Sequence, residues 1–137
     1  MDRILIEKHL VFIGEAVAAL RLHGKPATIA DDPVQFGFVV HTLQTAVQAA
    51  IDVAAMIVST RKLGEPATNR EMFEKLAGDG WVSASAAATW QRIVSFRNIV
   101  VHRYLQVDVK VVRSIVENHT EDLLGFARSV RDRLRQG

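Results

Sequence analysis

The chain has 137 residues, 49% of them hydrophobic, with 8 glycines and 3 prolines, which is enough apolar material for one cored domain and too little chain for two. A net charge of +2 gives no uniform field for nucleic acid, and the absence of cysteine excludes disulfides, thiolate zinc sites and thiol nucleophiles. Gln48 and Asp52 interrupt the most apolar stretch, and the opening MDRILIEKHL lacks the apolar run of a signal peptide, so residues 1–137 are expected to form a single soluble, cytoplasmic domain with no membrane contact.

Taken in order, Ile6, Leu10, Ile13, Val17 and Leu20 recur at helical spacing while Glu7, Lys8, Glu15 and Arg21 supply a polar side, predicting a first helix over residues 3–22 that ends near Gly24. Asp32 followed by Pro33 reads as a helix cap and the one helical position that tolerates proline. The apolar series from Phe36 to Val58 then predicts a long central helix over 33–60, buried on more than one side. After a loop at 61–66, Thr68 and Glu71 stand at capping-box spacing before a short helix with Met72, Phe73 and Leu76, ended by Gly78 and Gly80. Ser83 or Ser85 caps a fourth helix carrying Trp90, Ile93, Val94 and Ile99. Asp108 caps a fifth with Val112, Ile115, Val116, Leu123, Phe126, Val130 and Leu134. The valine-rich stretch between them reads as a helix end and a turn. With no strand, repeat or low-complexity segment, these elements predict an all-α protein, a five-helix up-down bundle.

Function has to come from residues, because bundles host many activities. Arginines cluster at 128, 131, 133 and 135, read as a solvated helix face, and at 92, 97 and 103 around the single tyrosine. Within the second cluster, Arg97-Asn98-Ile99-Val100-Val101-His102-Arg103-Tyr104 holds groups suited to phosphodiester chemistry. An imidazole takes and returns protons near neutrality, and a guanidinium binds phosphate oxygens in bidentate fashion. Asn98 is placed to orient the histidine or the phosphate, and Tyr104 to stack on a base or donate a hydrogen bond. On a regular helix Arg97 and His102 fall about 140° apart. Their convergence therefore requires either a helix end near Val101 or a second copy of the chain across a two-fold axis. Asp52, with Gln48 and Gln44 at four-residue spacing before it, forms a polar stripe in an otherwise apolar helix. It either holds Arg97 or His102 in place or is simply an exposed or satisfied carboxylate. His9, His23, His41 and His119 show no metal-ligand spacing, so neither a metal nor another cofactor is expected.

The run Ser95–Tyr104 resembles the Arg-x4-His-x-Tyr motif of the HepT toxins in the HEPN superfamily. Ile51-Asp52-Val53-Ala54, Leu63-Gly64-Glu65-Pro66, and Phe73-Glu74-Lys75-Leu76-Ala77 followed by Gly80-Trp81-Val82 resemble that family's pattern in the same order. The resemblance implies a homodimeric, metal-independent endoribonuclease with Arg97 and His102 catalytic in a cleft at the dimer interface, acting on RNA such as tRNA or mRNA. It also implies a cognate minimal nucleotidyltransferase antitoxin that neutralises the toxin by transferring AMP to Tyr104. The alternatives are a non-catalytic nucleotide-binding HEPN module and a plain helical interaction protein.

Overall fold

The structure, a computed structural model, describes residues 1–136 as six α-helices and two short 3₁₀ turns, with no strand among the described residues. Helix α1 (Arg3–His23) starts where the Asp2 carboxylate accepts from the Leu5 amide at 2.9 Å, satisfying one of the free donors of the first turn. Its residues Ile6, Leu10, Ile13, Val17 and Leu20 are all buried, so the predicted stripe is the observed one. A 3₁₀ turn at Pro26–Thr28 leads to α2 (Pro33–Thr60), capped by Asp32 accepting from the Val34 and Gln35 amides at 3.1 and 3.2 Å. By length and composition alone α2 is apolar enough to cross a membrane. Its apolar surface is instead consumed by α1, α3 and α4, which pack around it.

The connection after α2 is set by its backbone. Leu63 N–H donates to Val58 O at 3.0 Å and Lys62 N–H to Ser59 O at 3.2 Å, a Schellman closure that puts Lys62 at φ 56°. Helix α3 (Asn69–Gly78) begins with Thr68 Oγ1 accepting from the Glu71 amide at 3.1 Å. The Glu71 carboxylate reaches back one residue further than a standard capping box, to the Ala67 amide at 3.0 Å. The same closure ends α3, with Trp81 N–H on Leu76 O at 2.9 Å and Gly80 supplying the left-handed position at φ 79°. Ser83, rather than Ser85, caps α4 (Ala84–His102) through the Ala86 amide at 3.1 Å. A second 3₁₀ turn, Tyr104–Gln106, follows. The core centres on Phe73, Trp90 and Phe126, whose rings lie 5.1–6.0 Å apart, close enough for packing beyond simple area burial.

Two details differ from the sequence expectation. The predicted fifth helix is a pair, α5 (Val109–Asn118) and α6 (Thr120–Arg135). His119, at φ −125° and ψ 8°, ends the first through its amide to Ile115 O, and its carbonyl accepts the Asp122 and Leu123 amides to start the second. Contacts at the junction hold the break in place. His119 Nδ1 lies 2.8 Å from the Asp122 carboxylate, and buried Thr120 accepts from Arg21 at 3.3 Å. A one-residue interruption leaves Ile115 and Leu123 in helical spacing, so apolar periodicity reads straight through it. Second, Ile99 is 40% exposed, and Phe96 and Val100 take the inward positions of α4 expected of it.

Candidate active site

Helices α2 and α4 pack against each other, and the polar residues of the α2 face meet the C-terminal half of α4. His41, Gln44, Gln48 and Asp52 recur at helical spacing along that face. Gln48 Nε2 donates to the Asp52 carboxylate at 2.8 Å, and its carbonyl Oε1 accepts from Arg97 Nη2. Arg97 Nη1 in turn donates to Asn98 Oδ1 at 3.1 Å. Asp52, Gln48, Arg97 and Asn98 thus form one half-buried chain of hydrogen bonds that fixes the guanidinium, and Asp52 reaches Arg97 through Gln48 rather than by a direct ion pair. Such chains polarise one another and restrict the arginine to one geometry. Arg97 Nε is buried with no partner, an uncompensated polar atom of the kind found where a side chain is held for function.

Helix α4 stays helical through His102, and the Arg103 amide closes its last turn on Ile99 O at 2.7 Å. His102 is exposed, and its imidazole makes no hydrogen bond among the described residues. Because the helix does not break before it, His102 remains on a different face from Arg97. The helix ends one residue beyond Val101, which does not by itself turn His102 onto the face of Arg97. Tyr104 opens the following turn, 49% exposed, its ring edge-on to Phe36 at 6.4 Å. Between α2 and this end of α4 lies a cleft of about 290 Å³ lined by Gly37, Val40, His41, Gln44, Val100, Val101 and Tyr104.

The structure therefore joins Asp52, Arg97 and Asn98 in one network, sets Tyr104 in a cleft on the same seam, and leaves His102 free at the helix end. Gln48, which ties that network together, was visible in the sequence only as a member of the polar stripe. His41 and Phe36 carried no signal beyond amphipathic spacing. The C-terminal arginines are spoken for: Arg128 pairs with Glu121, Arg131 with Glu7 and Arg135 with Asp132, while Arg133 lies 4.9 Å over the Trp81 ring. They form a paired surface, as expected of a solvated face.

Comparison with known proteins points one way. A family model described as Ribonuclease HepT-like matches residues 21–130. The mRNA nuclease HepT of Shewanella oneidensis is 32% identical over 88 residues, 64% of this chain, and the match spans 66% of that nuclease's length. A solved structure described as a tri-AMPylated Shewanella oneidensis HEPN toxin in complex with MNT antitoxin is 25% identical, with a TM-score of 0.86 over 96% of this chain and 99% of that one. The cytosolic protein of unknown function YutE from Bacillus subtilis shares the fold at a TM-score of 0.90, over 99% of this chain and 92% of that one, with 16% identity.

Proposed function

Because the chain belongs to the HepT-like ribonuclease family, we propose that it is the toxin of a toxin–antitoxin pair, a cytoplasmic endoribonuclease that cuts RNA without a metal ion. The observation that carries this reading is the guanidinium of Arg97, fixed by Gln48 and Asn98 on the α2–α4 seam, with an unencumbered imidazole and tyrosine at and just past the end of the same helix. Cleavage by attack of the RNA 2′-hydroxyl on the adjacent phosphorus requires a base for the hydroxyl proton, an acid for the departing 5′-oxygen and a fixed cation over the charge that builds on the phosphate. His102 supplies the proton transfers and Arg97 the cation. Preorganisation matters here, since a guanidinium already held in place needs no reorientation as the charge develops.

The two groups work together across a homodimer of residues 1–137, each chain forming one HEPN domain. Two observations support the dimer. Arg97 and His102 sit on different faces of an unbroken helix, and apolar side chains stand in solvent at this end of the bundle, with Val34 82% and Leu105 98% exposed alongside Ile99 and Val101. Exposed apolar residues around a polar site are what a partner surface covers. Each composite site then pairs the Arg97 of one chain with the His102 of its partner.

The partner is a minimal nucleotidyltransferase, as in the Shewanella oneidensis complex, and its AMP acceptor is Tyr104. Tyr104 is half exposed and so within reach of transfer, and an added phosphate places negative charge at the seam where the RNA phosphate binds, competing for the same guanidinium. Controlled expression in bacteria tests the reading. Wild-type protein should arrest growth, His102→Ala should not, and co-expression of the nucleotidyltransferase should rescue wild type but not Tyr104→Phe. Full toxicity of His102→Ala, or AMP found by mass spectrometry on a residue other than Tyr104, overturns it.

A further inference from the structure

Arg92 and Arg103, singled out in the sequence, take no part in the site above, and neither they nor Lys110 lie within ion-pair distance of a carboxylate among the described residues. That sets them apart from the C-terminal arginines. Arg92 and Lys110 flank a second cleft of about 460 Å³ between α4 and α5, lined by no acidic residue. Its wall is apolar, from Ile93, Val111 and Ile115, with the Thr89 and Ser114 hydroxyls beside it. Arg92 stands ten residues before His102 on α4, about 80° round the helix and roughly 15 Å along it. Arg103 directly follows His102. The cleft therefore lies within a few nucleotides' length of His102.

We propose that this cleft holds an unpaired stretch of the RNA substrate flanking the cut. Arg92 and Lys110 take its phosphates, and a base lies against the Ile93–Val111–Ile115 wall under the Arg92 guanidinium plane. The inference rests on the ribonuclease reading and adds to it a reason for substrate choice. A strand that must occupy the cleft while its scissile phosphate sits at His102 has to be unpaired over that span, so loops and single strands are cut and duplexes are not. Sequence-specific proteins read RNA in this single-stranded form, with bases resting on flat side chains and phosphates on cations.

The test uses a fluorescently labelled single-stranded oligoribonucleotide and full-length protein carrying His102→Ala, so that the RNA stays intact, with affinity measured by anisotropy over a series of salt concentrations. In that background, Arg92→Ser with Lys110→Ser should weaken binding roughly tenfold and lower the slope of log affinity against log salt by about 1.4, the value for two lost single-strand phosphate contacts. Arg92→Lys should retain most of the slope. Arg128→Ser with Arg131→Ser removes the same formal charge from cations already held by Glu121 and Glu7 and should change little. If the first pair behaves like the second, or if both weaken binding equally, the cleft is not an RNA subsite. Cleavage kinetics separate the two readings. With His102 intact, the cleft pair should raise KM and leave kcat in place. Active protein whose KM ignores the cleft pair overturns this inference alone, whereas inactive protein that still loses affinity with the cleft pair overturns the ribonuclease reading alone.

Discussion

Arg97 illustrates how a residue is made useful by neighbours that do no chemistry. A free arginine samples many rotamers, but this one is tied by Gln48 and Asn98, with Asp52 behind Gln48 setting the orientation of the amide. Gln48 is therefore a positioning residue. Gln48→Leu should lower kcat roughly ten- to a hundredfold with little change in KM, because phosphate is still attracted while the guanidinium no longer stays where charge develops. Gln48→Glu should recover part of the loss by holding the guanidinium through its carboxylate. Steady-state cleavage of a fixed oligoribonucleotide measures both. A Leu variant with unchanged kcat would make the network structural only. The residues proposed for this site stand out in the sequence because Arg, Asn, His and Tyr crowd into eight positions. Gln48 was not, since a glutamine four residues before an aspartate looks the same whether it faces solvent or an arginine on another helix.

Among the elements, the caps were readable and the break inside the last predicted helix was not. Asp32, Thr68, Ser83 and Asp108 all accept the amide bonds their sequence positions imply, because capping is a local interaction encoded within four residues. The break at His119 depends on Asp122, Thr120 and Arg21, the last from a different helix, so it lies outside what periodicity records. Lys62 is a similar case. It fills the left-handed position that Gly80 fills after α3, at a steric cost a lysine pays and a glycine avoids. Lys62→Gly should stabilise the protein by roughly 0.5–1 kcal/mol after the extra flexibility of the unfolded chain is counted, read as a higher denaturant midpoint with unchanged slope. A lower midpoint would show that the Lys62 side chain makes a contact worth more than the strain.

The link from α2 to α3 and α6 runs through Asp79, which accepts from Arg61 at 2.8 and 3.1 Å and from the Trp81 indole N–H at 2.9 Å. Those hydrogen bonds, from Arg61 first and then Trp81, hold its carboxyl below the ordinary 3.8, at about 2. A folded-state value below the unfolded one means that the contribution to stability is complete above about pH 4 and is lost as pH falls through about 2. Asp79→Asn should therefore be less stable than wild type at neutral pH, with the difference shrinking as pH falls below 4 and vanishing below 2. Unfolding curves across that range check it, and a pH-independent difference would contradict the assignment.

At the scale of the whole molecule, an apolar-rich chain folds around one central helix, α2, and still leaves Val34, Ile99, Val101 and Leu105 in solvent at the end bearing the site. The fold class was legible because helical periodicity and caps agree at every element. Periodicity did not show which apolar residues stay outside the core, since one sequence does not distinguish an inward apolar face from one left to a second copy; Ile99 was assigned to the core on spacing alone. If a dimer covers this end, wild type should sediment as a dimer at micromolar concentration and Ile99→Lys as a monomer with little activity. Mixing Arg97→Ala with His102→Ala protein should then restore part of the cleavage, since one of the two composite sites regains both groups. A fully active monomer would refute the shared site.

The most direct test of the central claim is incubation of purified wild type and His102→Ala with single-stranded RNA in excess EDTA, followed by analysis of the fragment ends. Cutting by wild type alone, leaving 2′,3′-cyclic phosphate or the 3′-phosphate formed from it, is the predicted result. Cleavage that stops in EDTA, or that continues undiminished in His102→Ala, would contradict it.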